Sequence, residues 1–343
     1  MLGSVRLLST IPIGKSIPVV IRAGKVISVQ YCYRVATNDI EKAVRLLKKG
    51  RLVAFPTETV YGLGADARSQ AALTRLYSVK GRPTNHPVIV HLGSVDWLSR
   101  WAEPDPRALA LAEQFWPGPL TLILKRRPAV LDAVTGGQAS VGLRMPSHPL
   151  ALQLLNAFGD GLAAPSANRF GKVSPTTADH VLSDLGRDVD YVLDGGPCEV
   201  GVESTIVDLS TPAVKVLRPG HITESEIEKV LGRLESGLGE TRAPGMLKSH
   251  YAPSTPTELL DPAKLEARIR ELEGTNVAVW SRQKPSGASF WLEADTDPGD
   301  YARTLYANLR RLDLGGYQHI LVEEPPEGES WLAARDRLRR ATA

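Results

Sequence analysis

Apolar residues along the chain follow two spacings, one typical of amphipathic helices and the other typical of short buried strands. Helical spacing begins with Ile40, Val44 and Leu47, and Gly50 ends this segment. The apolar run at residues 52–55 is short enough for a buried strand, and helices and strands alternate after it. This alternation predicts an α/β fold in which helices pack on a sheet.

The same two spacings continue through the first two thirds of the sequence. They predict helices near residues 38–49, 70–79, 106–115, 149–158, 178–185 and 224–234. They predict strands near residues 52–55, 87–92, 120–124, 141–145, 162–164, 191–193, 205–209 and 214–217. The ends of such strands are where α/β sheets bind ligands.

A passage in which Gly, Ser and Pro recur separates a second, smaller α/β unit from the first. This unit has predicted helices near residues 262–273, 301–312 and the end of the chain, and predicted strands near residues 277–280, 290–293 and 320–323. We therefore divide the chain into an extension (1–34), a catalytic domain (35–222), a linker (223–256) and a C-terminal domain (257–343).

Composition narrows the class of protein. Hydrophobic residues make up 43% of the 343 residues, which is ordinary for a folded protein with a core. Charge, Gly or Pro interrupts every apolar stretch well before the roughly 20 residues that a membrane-spanning helix needs. Cys32 and Cys198 form no C-x-x-C pair, and two cysteines alone build neither a disulfide framework nor a zinc site. A reducing cytoplasm fits this composition best.

The net charge of +3 is weak evidence of nucleic-acid binding, because it comes from the beginning of the chain. The positive side chains that precede the first acid, Asp39, are Arg6, Lys15, Arg22, Lys25 and Arg34. Residues 1–34 are an acid-free targeting peptide, a loosely attached extension or the product of a start codon placed too far upstream. The sequence leaves these alternatives open.

Polar residues follow the first predicted strand in the segment FPTETVYGLG, residues 55–64. Its hydroxyls and its carboxylate lie between a buried strand and a glycine-bounded turn, so a ligand site and an ordinary polar turn both fit.

Two cations and two histidines surround the next strand. Lys80 and Arg82, in KGRP, either bind an anion or complement the dipole at the end of their helix. His86 and His91 follow, and His91 in its apolar strand is either a ligand contact or a core histidine. This set suits a ligand with phosphates and a carboxylate.

Arg144 lies near the end of an otherwise apolar strand in SVGLRMP, where a charge needs a partner. Its guanidinium suits the carboxylate of an amino acid, which it can bind through two parallel hydrogen bonds. An ion pair with an acid at the end of the sheet is the alternative.

Small and polar residues mark two further turns. The segment AAPSAN, residues 163–168, leaves room for backbone and hydroxyl donors to approach a phosphate. GVEST, residues 201–205, repeats the pattern, and Arg218 adds a cation at a strand end. The sequence has no Walker A loop, dinucleotide fingerprint, nucleophile elbow or metal cluster.

Taken together, these motifs resemble the Sua5/YrdC family. In chain order they are PTETVYGLG, KGRP, HPVIVH, SVGLRMP, APSAN, GKVSPT, GVESTIVD, VLRPG and SHYAP. The resemblance covers about residues 35–255, and the smaller unit with its closing DRLRR is similar in outline to the extra domain of the Sua5 branch. It implies a twisted open α/β sheet with a large cavity, a linker that closes over this active site, and a smaller Rossmann-like C-terminal domain.

The resemblance also implies roles for individual residues. Contacts with L-threonine are expected from Thr59, His91, Arg144, Ala164 and Ser204. Contacts with ATP are expected from Arg82, His86, Ser140, Ser166, Ser174, Arg218 and Tyr251. The catalytic residues are expected to be Lys80, Arg82, Ser166 and Asn168. No residue is expected to bind a metal directly.

The activity implied by the resemblance is that of a nucleotidyltransferase. Threonine takes up bicarbonate, and the resulting carboxylate attacks the α-phosphate of ATP to give threonylcarbamoyl-AMP, pyrophosphate and water. Mg²⁺ is expected on the phosphates. The product supplies a downstream transferase that makes the t6A37 modification in tRNAs reading ANN codons, and weak contact with tRNA or RNA is a further expectation.

Two other classes compete with this interpretation. A non-catalytic RNA-binding module is the first, but the chain has no RNP or KH pattern and no basic cluster with interleaved aromatics. Carbamoyl transfer in metal-centre maturation is the second, but two scattered cysteines cannot supply the zinc modules of that larger architecture.

Overall fold

The computed structural model describes residues 37–103, 105–235, 237, 241–247 and 249–343. The extension predicted at residues 1–34 lies outside the described residues, as does Cys32. The alternatives for this segment therefore remain as the sequence left them.

A nine-stranded mixed sheet forms the larger part of the fold. Its strands are β1 (Val53–Phe55), β2 (Gly62–Asp66), β3 (Ile89–His91), β4 (Leu120–Lys125), β5 (Ser140–Arg144), β6 (Leu162–Ala163), β7 (Tyr191–Val192), β8 (Thr205–Asp208) and β9 (Lys215–Arg218). They lie in the order β7-β1-β2-β6-β3-β5-β4-β8-β9. Parallel pairs such as β3/β5 and β4/β8 alternate with antiparallel ones such as β4/β5, so sequence neighbours are often distant in the sheet.

Helices accompany this sheet, largely where the apolar spacing predicts them. They are α1 (Thr37–Lys48), α2 (Gln70–Lys80), α3 (Leu98–Trp101), α4 (Pro106–Phe115), α5 (Asp132–Thr135), α6 (Pro149–Phe158), α7 (Ala178–Leu185) and α8 (Glu224–Leu231). Local chemistry fixes several boundaries: Asp105 caps the start of α4, and Gly81 ends α2 with a left-handed φ of 64°.

The smaller unit is built on a four-stranded parallel sheet. Its strands are β10 (Thr257–Leu260), β11 (Val277–Ser281), β12 (Phe290–Glu293) and β13 (His319–Glu323), in the order β10-β13-β11-β12. Its helices are α9 (Pro262–Glu271), α10 (Pro298–Asp313) and α11 (Leu332–Ala341). The expected fold class, a large α/β sheet with a smaller α/β unit after it, is confirmed.

The two units share one buried hydrophobic cluster. Val202 and Tyr251, which precede the smaller unit, pack in the same cluster as Tyr306 and Leu309 of α10 and Leu338 of α11. The smaller unit therefore packs directly on the part of the chain that carries the candidate motifs.

Two strands were not predicted. β2 contains Gly62 and Gly64, which carry no β-branched or apolar signal, yet a Cβ at Gly64 would lie 2.9 Å from the ring of Phe55. Close packing selects glycine there against its weak strand propensity. β10 is a half-buried strand at the edge of its sheet beside β13, and its sequence shows no clear apolar face.

None of the helices in the described part of the chain is both long and apolar enough to span a bilayer.

Candidate active site

A pocket lies between strand ends of the nine-stranded sheet and a segment of the linker. The space between its walls, counted together with the part open to solvent, is about 560 Å³. Its lining residues are Thr57, Thr59, Val60, Gly62, Arg82, Ile89, His91, Arg144, Ala164, Pro165, Ser166, Glu203, Ser204, Arg218, Pro244, Gly245, His250 and Tyr251. The turns that the sequence marked as candidate motifs therefore converge on one pocket.

Arg144 forms one wall of this pocket at the end of β5. Its Nη1 donates to Thr59 Oγ1 at 2.8 Å, and its Nη2 lies 2.7 Å from Glu58 Oε1 in an ion pair. Glu58 and Arg144 are both buried. Arg144 therefore has the acidic partner of the second alternative from the sequence, and it also lines the pocket, as the first alternative requires. Glu58 thus orients a guanidinium that keeps further donors for a ligand carboxylate.

His91 lies beside Arg144, since β3 and β5 pair in parallel with these two residues in register. It is only 3% exposed, and its Nδ1 has no hydrogen-bond partner among the described residues. Burial, reinforced by the charge of Arg144, lowers the pKa of His91 to about 3. At neutral pH the pocket therefore contains a neutral imidazole with one nitrogen free for a ligand.

Two buried arginines lie in the pocket without an acidic partner in the described part of the chain. Arg82 donates from Nη2 to the Pro87 carbonyl at 2.7 Å. Arg218, at the end of β9, donates to the carbonyl of Ser204 from Nε at 3.1 Å and Nη2 at 2.9 Å. Burial lowers the pKa of Arg82 to about 10, so it stays protonated at neutral pH. Unneutralised buried cations of this kind favour a polyanionic ligand.

Lys80 lies behind the pocket rather than in its lining. Its Nζ donates to the carbonyls of Ser166 and Asn168 at 2.5 and 2.6 Å. Ser166 Oγ in turn donates to Asn168 Oδ1 at 2.5 Å. Burial, and then the charge of Arg82, lowers the pKa of Lys80 well below its ordinary value. In this conformation Lys80 holds the turn that presents Ser166 to the pocket.

Several other expected site residues also lie outside the lining. The Oγ of Ser174 donates to Glu203 Oε1 at 2.6 Å. His86 is half-buried, and its ring meets that of Phe170 edge to face at 5.5 Å. Ser140 is buried on β5 opposite Lys125. The structure thus gathers all five residues expected for threonine but only part of the set expected for ATP.

The linker forms one wall of the pocket, and only part of this wall lies in a quoted motif. Gly245 has a φ of +82°, and a Cβ there would lie 2.3 Å from the hydroxyl of Tyr251 and 3.1 Å from Nη1 of Arg218. Tyr251 itself has a φ of 64° and is 1% exposed. His250, beside it, has a pKa lowered to about 3 by burial. A glycine is therefore required where the linker meets the cationic side of the pocket.

Sequence reasoning gave no role to Glu203, Gly245 and His250, although all three line the pocket. Glu203 stands immediately before Ser204 in GVEST, and His250 immediately before Tyr251 in SHYAP. For Glu203 and His250 the available signal was their position inside quoted motifs, whereas Gly245 lies outside all of them.

Two models of protein families match this chain. A model of the Sua5/YciO/YrdC family, described as "Telomere recombination", matches residues 45–220. A second, described as "Threonylcarbamoyl-AMP synthase, C-terminal domain", matches residues 222–343.

Individual relatives are similar over most of their length. The chain is 39% identical to threonylcarbamoyl-AMP synthase of Pyrococcus abyssi, over 90% of this chain and 95% of the relative. It is also 39% identical to the Bacillus subtilis enzyme of that name, over 89% and 94%. The crystal structure of P. abyssi Sua5 complexed with L-threonine superimposes with a TM-score of 0.84 at 39% identity, covering 90% of this chain and 95% of that one.

Proposed function

The chain belongs to the Sua5/YciO/YrdC family, and from this premise we propose that it is an L-threonylcarbamoyladenylate synthase, a nucleotidyltransferase that acts on ATP. One observation carries the proposal: a single pocket joins an oriented arginine and a neutral histidine to two buried arginines that have no acidic partner among the described residues. The first pair suits an amino acid, and the second suits phosphates.

Threonine binds at the β3/β5 side of the pocket. Arg144 takes its carboxylate, while Thr59 supplies a hydroxyl and His91 a ring nitrogen that has no partner among the described residues. Ala164 and Ser204 complete the lining around the side chain. P. abyssi Sua5 has been crystallised in complex with L-threonine, which supports this assignment.

ATP binds in the same pocket, with Arg82 and Arg218 facing its phosphates and with Ser166 and Tyr251 also in the lining. The further contacts implied for His86, Ser140 and Ser174 require the nucleotide to extend beyond the lining described above. Lys80 and Asn168 act by fixing the turn that carries Ser166.

The reaction needs no nucleophile from the protein. The amine of threonine attacks the carbon of bicarbonate, forms an N–C bond and releases water. An oxygen of the new carboxylate then attacks the α-phosphorus, and the bond to the β-phosphate breaks so that pyrophosphate leaves with the electron pair. Positioning and charge neutralisation by Arg82 and Arg218 are what the protein supplies.

Mg²⁺ is proposed to arrive with the nucleotide. Among the described residues, no group of three or more His, Cys, Asp or Glu is arranged to hold a metal ion. Glu203 lines the pocket, Glu58 precedes the lining residue Thr59, and both acids are paired with arginines. We therefore assign Mg²⁺ to the phosphates of the nucleotide, and no step above depends on a protein ligand to it.

The product, a mixed anhydride of a carbamate and AMP, requires a partner that consumes it. We propose that this partner is a cytoplasmic threonylcarbamoyl transferase that acts on tRNA to form t6A37, and that this chain makes weak contact with RNA.

Pyrophosphate release from ATP by the purified protein tests this function, with threonine and bicarbonate each supplied or withheld and serine in place of threonine. We expect release that requires both co-substrates and is faster with threonine than with serine. A folded protein that releases no pyrophosphate in any mixture but binds tRNA would favour the RNA-binding alternative instead.

A further inference from the structure

The last helix of the chain places a charged side chain in the interior next to the pocket. Arg337, on α11, is 0% exposed, and its Nε donates to Glu203 Oε2 at 2.7 Å. Glu203 belongs to the turn before β8 and lines the pocket. A guanidinium from the smaller unit thus pairs with a carboxylate in the wall of the candidate active site.

Both carboxylate oxygens of Glu203 accept hydrogen bonds in this arrangement. Its Oε1 accepts from Ser174 Oγ at 2.6 Å, and its Oε2 also accepts from the hydroxyl of Tyr306 at 2.8 Å. Burial alone would raise the pKa of Glu203, but Arg337 and then Arg218 hold it at about 2. The carboxylate is therefore ionised, and its charge needs compensation inside the protein.

Arg337 also contacts the linker. Its guanidinium carbon lies 5.5 Å from the ring centroid of Tyr251, whose ring is 5.6 Å from that of Tyr306. On the same helix, Arg340 donates from Nη1 to the Leu247 carbonyl at 2.6 Å. The carbonyl of Arg340 accepts from the backbone nitrogen of His250 at 3.0 Å. Helix α11 thereby fixes the linker segment that forms one wall of the pocket.

We propose that Arg337 is a positioning residue for the nucleotide: it neutralises Glu203, so that Arg218 remains available to the phosphates, and it holds Tyr251 in the pocket wall. This inference rests on the proposed function, since it assumes that Arg218 meets ATP. It gives the C-terminal domain, for which the family resemblance supplied no role, a direct part in the ATP site.

The charges around Glu203 explain why the loss of Arg337 should weaken the binding of ATP rather than that of threonine. Arg218 bonds to the carbonyls of Ser204 and Pro244 and to the Ser204 hydroxyl, and no acid of the described residues forms an ion pair with it. Without Arg337, the buried carboxylate of Glu203 would have Arg218 as its remaining cation and would draw it away from the phosphates. Arg144, which faces threonine, already has its own acid in Glu58.

The test compares Arg337→Met with Arg339→Met, a matched control on the same helix whose side chain is 58% exposed. For Arg337→Met we expect the KM and the calorimetric Kd for ATP to rise about tenfold or more, because one partner of a buried pair is lost. The threonine KM should stay within about twofold of wild type. Arg339→Met should change neither value.

A rescue variant separates positioning from general packing. Adding Glu203→Gln to Arg337→Met removes the uncompensated charge, so ATP affinity should recover most of the loss. If Arg337→Met does not fold, Arg337→Lys retains the positive charge and should raise the ATP KM about threefold with threonine KM unchanged.

Equal changes in both KM values, no rescue by the second substitution, or no effect in any Arg337 variant would overturn the proposal. Absence of threonine-dependent pyrophosphate release in wild type and Arg339→Met would instead contradict the proposed function. ATP binding by calorimetry would then still report on the Arg337 contacts.

Discussion

Replacing Arg144 with lysine isolates the contact that the account assigns to the carboxylate of threonine. Arg144 bonds to Thr59 and forms a buried ion pair with Glu58. An alanine there would leave the Glu58 charge buried and unpaired, which costs about 3–5 kcal/mol of stability and would obscure any effect on binding. Lysine keeps the charge beside Glu58 but lacks the planar fork of the guanidinium.

The expected loss of threonine affinity in Arg144→Lys follows from the loss of the planar guanidinium. A hydrogen bond to a charged group contributes roughly 1.5–3 kcal/mol, and lysine cannot form two parallel bonds to a carboxylate while keeping its bond to Glu58. Loss of one such bond, about 2 kcal/mol, corresponds to roughly a 30-fold weaker affinity for threonine. Turnover at saturating threonine should fall much less.

Calorimetric titration of threonine into the variant measures this directly, and the KM for threonine in the pyrophosphate assay gives a second value. Arg126→Lys is the control, because Arg126 is a half-buried arginine that pairs with Asp132 outside the pocket. Unchanged threonine affinity in a folded Arg144→Lys protein would refute the assignment of Arg144 to the carboxylate.

Three further outcomes are expected. Arg82→Ala should lower kcat about 10²- to 10³-fold with little change in threonine KM, because a cation that stabilises the leaving phosphates is lost. Steady-state kinetics in which the concentrations of ATP and threonine are both varied measure these two constants. Gly245→Ala should weaken ATP binding in calorimetry, since its Cβ would overlap the Tyr251 hydroxyl, and wild-type affinity would show that the linker wall adjusts freely. His91 has a pKa of about 3 against an ordinary 6.5, so the unfolded chain takes up the proton first and stability falls as pH drops below 6.5. Between pH 7 and pH 5 this contribution amounts to about 2 kcal/mol, and urea unfolding of His91→Asn should show a correspondingly smaller pH dependence than wild type.

The sequence predicted most elements because their boundaries depend on local chemistry. Helices α4 and α6 begin at prolines, Pro106 and Pro149, and carry the apolar spacing that gave the same bounds in the sequence and in the structure. Strand β12 was likewise bounded by its own apolar run. Local signals of this kind need no knowledge of the tertiary fold.

The pairing of His91 with Arg144 lay beyond such signals, because register between distant strands is set by the whole sheet. The acid beside Arg144 was foreseen as an alternative, but its identity as Glu58 was not. The link from Arg337 to Glu203 joins residues 134 positions apart, and nothing local in DRLRR marks Arg337 as buried and Arg339 as exposed. The division of the chain at residues 222 and 256 remains a prediction.

Isotope-labelled bicarbonate tests the central claim most directly. The purified protein is incubated with ATP, threonine and labelled bicarbonate, and the nucleotide products are identified by mass spectrometry within the lifetime of the anhydride. The account predicts threonylcarbamoyl-AMP that carries the label in its carbamoyl carbon, formed in step with pyrophosphate. Pyrophosphate accompanied by AMP or unlabelled aminoacyl adenylate, without any labelled product, would contradict it.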